Sequence, residues 1–241
     1  MTECASFTLE INDIMKLTTN AENVDVLYED NHVIGINKRV GDIVQGDKTG
    51  DIPLSEHLKA YLKKKYNKPG EAYLGIVHRL DRPTTGVVLF AKTSKALSRL
   101  NAMFADKAQV QKTYWALVDA MPPATEGTLT HWLVRNEKQN KSVAYNKEVQ
   151  QSKKAVLHYK LLKSFDHYHL LEIDLITGRH HQIRAQLAAI GLHIKGDLKY
   201  GAKRSNPDGG ICLHAYKLTF EHPVKKEVIT IEAAPNWQLS K

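Results

Sequence analysis

His78-Arg79-Leu80-Asp81-Arg82-Pro83-Thr84-Thr85-Gly86 runs without a break into the apolar stretch Val87–Ala91, and this junction decides how the rest of the chain is read. Five consecutive apolar residues make a run of strand length. Pro83 and Gly86 restrict the turn before it, so whatever stands in that turn is held in place. Asp81 stands there, with Arg79 two positions before it and Arg82 directly after. Neighbouring guanidinium groups favour an ionised carboxylate. An ionised, oriented carboxylate can act as a nucleophile or stabilise a cationic sugar. The same pattern also suits a purely structural ion pair in a tight turn.

Working outward, Val24–Tyr28 and Val33–Asn37 read as short strands around Glu29-Asp30-Asn31. Ser55–Tyr66 has amphipathic helical spacing, with Leu58, Tyr61 and Leu62 on one face and Ser55 as the expected N-cap. Its Lys59, Lys63 and Lys64 are read as a solvated face. Thr93 or Ser94 caps a second helix carrying Leu97, Leu100, Met103 and Phe104 on one side. Thr113–Val118, Ala155–Leu162 and Tyr168–Ile176 read as strands, the last two paired around the Ser164–His167 turn. In the last, Leu171, Ile173 and Leu175 alternate with Glu172 and Asp174. Gly178 is expected to turn that strand sharply into a third helix, with Ile183, Leu187 and Ile190 inward and Gly191 at its end. Ile211–Phe220 and Val228–Ala233 close the chain as strands. Hairpin-joined strands with few helices predict an α+β domain: a mixed, largely antiparallel sheet with flanking helices. Residues 1–23 read as a weakly patterned leader, and 24–241 as the domain itself.

Composition narrows the function classes. No run of about 18 apolar residues occurs, so no membrane span is expected. The N-terminus carries acidic residues and no uninterrupted apolar stretch, which argues against a signal peptide. The two cysteines, Cys4 and Cys212, form neither a disulfide framework nor a metal pattern, and a reducing cytoplasm is the expected compartment. The net charge of +8 and pI of about 9.3 suit a polyanionic partner such as nucleic acid, although many basic proteins bind none. No Gly-rich phosphate loop is present.

Two further segments could carry chemistry. Gln111-Lys112-Thr113-Tyr114 opens a strand with a tyrosine that could stack on a nucleobase or pack in the core. Thr177-Gly178-Arg179-His180-His181-Gln182-Ile183-Arg184 places cations and hydrogen-bond donors at a helix start, with Arg184 able to meet a carboxylate from elsewhere. Adjacent histidines on a helix diverge by about 100° and no matching ligands lie nearby, so no metal site is expected. Gly196-Asp197 and Tyr200-Gly201 form a turn-rich loop, and Leu213 and His214 follow in a late strand.

These segments together resemble the RluA-type family of RNA pseudouridine synthases from about Val24 to Ala233. HRLDRPTTG is similar to the family's catalytic segment, QKTY to its tyrosine motif and TGRHHQIR to its TGRxHQIR segment, with GDLKYG and CLHAYKLTF following in order. The resemblance implies the pseudouridine synthase fold and isomerisation of uridine in structured ribosomal or transfer RNA, without a cofactor. It implies that Asp81 is the catalytic aspartate, that Tyr114 stacks on the target base, and that Arg184 pairs with Asp81. Arg79 would fill the gap left by the flipped nucleotide. Leu213 would line the uracil pocket, and His78 and Arg82 would also contact RNA. Thr85 replaces the usual serine, and Asn37-Lys38-Arg39 stands where the family commonly has NKP. The leader is too short for the family's S4 RNA-binding domain, so a stand-alone, monomeric catalytic domain is expected. A base-releasing N-glycosidase and a catalytically silent RNA-binding protein are the competing readings.

Overall fold

Val87–Ala91 lies at the heart of an 11-stranded sheet in the computed structural model, which describes residues 19–47, 49–106 and 109–237. Most of the leader, residues 1–18, therefore lies outside the described residues. The strands are β1 (Val26–Glu29), β2 (Val33–Lys38), β3 (Gly75–Ile76), β4 (Thr85–Ala91), β5 (Val110–Val118), β6 (Glu126–Asn136), β7 (Lys141–Tyr145), β8 (Lys153–Ser164), β9 (His169–Leu175), β10 (Leu213–Glu221) and β11 (Val228–Glu232). The helices are α1 (Leu54–Lys65), α2 (Ser94–Ala105) and α3 (Gln182–Ala189), with a single 3₁₀ turn at Leu198–Tyr200. The sheet runs β1-β2-β4-β10-β5-β9-β8-β6-β7, with β11 paired to β10 and β3 to β4.

Every named pairing is antiparallel except β4 with β10. The expected α+β architecture is therefore the observed one. The continuous apolar run of β4 has a direct cause: the strand is covered on both faces. Val88 and Phe90 join a cluster with Ile34, Ile36 and Leu58 of α1, whereas Val87, Leu89 and Ala91 pack with Leu100 and Met103 of α2. Phe90 and Leu100 are fully buried, and each such side chain contributes about 1.5–3 kcal/mol over leaving it exposed. Ile183 and Leu187 of α3 sit in the first cluster beside Tyr114, Leu157 and Ile173. No helix of the described residues is long and apolar enough to cross a membrane.

Gly86 belongs to β4 and does more than restrict a turn. Its φ is +110°, and a Cβ there would fall 2.3 Å from the Ala215 carbonyl oxygen. The one parallel pairing, Gly86 opposite Ala215, depends on that close approach.

Three local expectations are corrected. The N-cap of α1 is Pro53, not Ser55, which is buried inside the first turn. Proline brings a fixed φ of −75° to the helix entry, and the Leu54 N–H donates to the Ile43 carbonyl at 2.7 Å, so no hydroxyl cap is needed. At the start of α3 the left-handed residue is His181 (φ +51°), whereas Gly178 has no positive φ. Third, Glu126–Asn136 and Lys141–Tyr145 form a long β6–β7 hairpin where no strands are expected from the sequence. Thr93, by contrast, caps α2 as expected, its Oγ1 accepting from the Ala96 N–H at 3.1 Å.

Candidate active site

Because β4 is flanked by β10, then β5, then β9, the loop that precedes β4 and the turn that follows β9 both approach the middle of the sheet. They meet there over a cavity of about 350 Å³. Tyr114 of β5 lies opposite Ala215, and Leu213 opposite Ala116, so the two side chains occupy one face of adjacent strands. Leu80, Ile183 and Leu213 add apolar wall around them, within the same core cluster. Leu80, Tyr114, Leu175, Ile183 and Leu213 give the cavity an apolar wall for a planar ligand, and polar and charged side chains, Asp81, Lys112, Arg135 and Arg184 among them, make up most of the rest.

Asp81 is the carboxylate of this cavity. Its Oδ2 receives Arg184 Nη1 at 3.0 Å and lies 3.4 Å from His181 Nε2. Arg184 is 5% exposed and is itself clamped by Asp197, Nε to Oδ2 at 2.7 Å and Nη2 to Oδ1 at 2.8 Å. A planar guanidinium can hold two carboxylates because its donors form a rigid fork. Burial disfavours the Arg184 charge, but bonds to Asp197 and then Asp81 more than offset it, and the guanidinium stays firmly protonated. Burial, reinforced by the nearby Asp81 charge, pushes the Tyr114 phenol well above its ordinary value. At neutral pH Tyr114 therefore offers a neutral ring face and an O–H, not a phenolate.

The loop carrying Asp81 is anchored from behind by Lys38, whose side chain is 1% exposed. Its ammonium donates to the carbonyls of Arg39 (2.9 Å), Arg82 (3.1 Å) and Thr84 (2.8 Å). Burial lowers the Lys38 pKa to about 8, against the pull of Asp42 and Asp81. The turn before α3 is held by Gln182. Its Oε1 accepts from Thr177 Oγ1 at 2.6 Å and from the Arg179 N–H at 3.0 Å, while its Nε2 donates to the Val156 carbonyl.

Of the site residues expected from sequence, Asp81, Tyr114, Arg184, Arg79, Leu213 and His78 all line the cavity. Arg79 is exposed, with Gln45 Oε1 at 3.4 Å. His78 stacks on Phe104 and accepts the Leu89 N–H at 3.0 Å, so its ring is tied into the fold. Arg82 is the exception. It does not line the cavity, and its guanidinium pairs with Asp51.

A family model for RNA pseudouridylate synthase matches residues 32–189 of this chain. The chain belongs to the RNA pseudouridylate synthase family. It is 34% identical over 214 residues to the uncharacterized RNA pseudouridine synthase YlyB of Bacillus subtilis, covering 88% of this chain and 69% of that one. It is 33% identical over 222 residues to ribosomal large subunit pseudouridine synthase C of Vibrio parahaemolyticus, covering 90% and 67%. Its fold is similar to that of human RNA pseudouridylate synthase domain containing 4, with a TM-score of 0.73 at 24% identity over 88% of this chain and 89% of that one. Membership makes the protein an RNA-modifying isomerase.

Beyond the residues that the family motifs point to, further side chains build the site. Lys38 and Asp197 support the ionic centre from outside the cavity, and Arg135, His180 and His181 line it. Nothing in the loop around Asp197 marked it as a partner for Arg184, 13 positions earlier.

Proposed function

We propose that residues 24–241 form a catalytic domain that converts particular uridines in structured RNA to pseudouridine, with Asp81 as the reacting carboxylate. The observation that carries this reading is the ionic centre: Asp81 bonded to a buried Arg184 that Asp197 already holds, in a cavity whose apolar wall includes Tyr114 and Leu213. The target nucleotide first leaves its stack, at a cost of a few kcal/mol. Tyr114 offsets part of that cost by stacking on the extruded base, and Arg79 by occupying the gap left in the RNA.

Asp81 then assists departure of uracil N1 from ribose C1′, either as nucleophile or by stabilising the cationic sugar. The freed uracil turns within the apolar walls until C5 faces C1′. A C5–C1′ bond forms, C5 loses its proton, and N1 gains one. Atoms and electrons balance without a hydride, phosphoryl or electron carrier, so the reaction calls for no cofactor. The naming of relatives as ribosomal large subunit synthases favours ribosomal over transfer RNA as substrate.

RNA labelled with tritium at uridine C5 tests the reading. Incubation with the purified protein is expected to release label and yield pseudouridine on nucleoside analysis. Free uracil would mark an N-glycosidase, and binding without either product a silent RNA-binding protein. Either result overturns the proposal.

A further inference from the structure

His181 and Tyr200 have no part in the assignments above, yet they reach Asp81 through an ordered chain. The His181 ring is 8% exposed, stacked on His180 at 3.9 Å and met edge-on by Tyr200 at 5.6 Å. Its Nδ1 lies 3.0 Å from Tyr200 Oη, and its Nε2 lies 3.4 Å from Asp81 Oδ2. Tyr200 Oη accepts the Ser142 N–H at 2.8 Å, which leaves its own proton for His181 Nδ1 or the Ser142 carbonyl at 3.2 Å. Burial pushes the His181 pKa down to about 3, so the ring carries one N–H at neutral pH. Were that proton on Nδ1, the Nε2 lone pair would face a carboxylate oxygen. The charge of Asp81 selects the Nε2–H tautomer, and the Tyr200 hydroxyl then donates to Nδ1. The left-handed φ of +51° at His181 is strained backbone for a residue with a Cβ, a cost that persists only where the surroundings fix it.

His181 Nε2 at 3.4 Å and the donor Arg184 Nη1 at 3.0 Å face the same oxygen, Oδ2. Oδ1 makes no hydrogen bond among the described residues. We propose that His181, oriented by Tyr200, is a positioning residue that works with Arg184 to hold Asp81 by Oδ2 and present Oδ1 to the target ribose. The inference rests on the reading of Asp81 as the reacting carboxylate. The 3.4 Å separation is longer than a formed hydrogen bond, and the proposal requires it to tighten in the substrate complex.

Two measurements test it. In protein labelled with ¹⁵N-histidine, two-bond nitrogen–proton correlations at neutral pH are expected to show His181 as the Nε2–H tautomer. Tyr200→Phe is expected to yield a mixture. A pure Nδ1–H tautomer in the wild type overturns the proposal, whatever the activity. In single-turnover assays on the modified RNA, His181→Leu is expected to lose about tenfold to a hundredfold in rate with RNA affinity little changed, the loss of one hydrogen bond to a charged group. His181→Gln can place an amide N–H near the position of Nε2–H and is expected to recover most of that rate. Both variants carry the same left-handed backbone, so a merely structural role would affect them alike, and equal rates for the two would refute the positioning role. Retained turnover in Asp81→Asn would instead remove the reading beneath it, and the tautomer measurement separates the two failures.

Discussion

A buried lysine and a buried aspartate hold the two halves of the ionic centre, and each makes a prediction at the level of one side chain. Lys38 donates to three carbonyls, two of them in the Asp81 loop, and methionine in its place would leave those oxygens unpaired. Lys38→Met is expected to cost about 1–3 kcal/mol in urea unfolding and to reduce turnover more than RNA affinity. Asp197→Asn removes the charge and one of the two acceptors that clamp Arg184, and turns an amide donor toward the buried guanidinium. Its expected cost is about 3 kcal/mol in the same assay, with a matching fall in turnover. Neither residue was legible in the sequence as part of the site. Lysine and aspartate are solvated in most settings, and only the folded topology shows them buried. Asp81, Tyr114 and Arg184 were legible because their motifs place them, and the structure brings all three to one cavity.

At the scale of elements, two small residues decide how β4 and α2 are seated. Gly86→Ala would drive a methyl group into the Ala215 backbone at the parallel β4–β10 pairing, in a φ region alanine rarely adopts. The variant is expected to be largely insoluble or strongly destabilised on expression, whereas Gly191→Ala, at a φ of +79° but with open space around its Cβ, should be strained yet remain folded. Thr93→Ala removes the hydroxyl that caps α2 and is expected to cost about 1 kcal/mol by thermal or urea unfolding. Most elements were readable from their periodicity. The β6–β7 hairpin was not, because only His131 and Leu133 are fully buried along β6 and no apolar alternation marks the strand. Ser55 misled for a different reason: a preferred capping residue stood two positions too late, and Pro53 with the Ile43 carbonyl had already closed the helix entry.

For the whole molecule, the buried histidines set a pH response. Burial lowers the pKa of His78 to about 3, of His181 to about 3 and of His214 to about 4, whereas in the unfolded chain each returns to about 6.5. Between those values the unfolded state binds more protons, so their contribution is full above pH 6.5 and is lost as pH falls toward 3–4. The urea midpoint is expected to drop from pH 7 to pH 5, and His78→Gln, which has no proton to gain, should drop less over that interval. Activity is governed by the same assembly of distant segments: β2, the loop before β4, β5, the turn after β9 and the loop at Asp197 each supply one part. The role of Asp81 is tested most directly by Asp81→Asn, assayed for tritium release from C5-labelled RNA alongside RNA binding and thermal unfolding. The expected result is no pseudouridine, RNA affinity within a few-fold of wild type and an intact fold. Pseudouridine formation by the folded variant would contradict it.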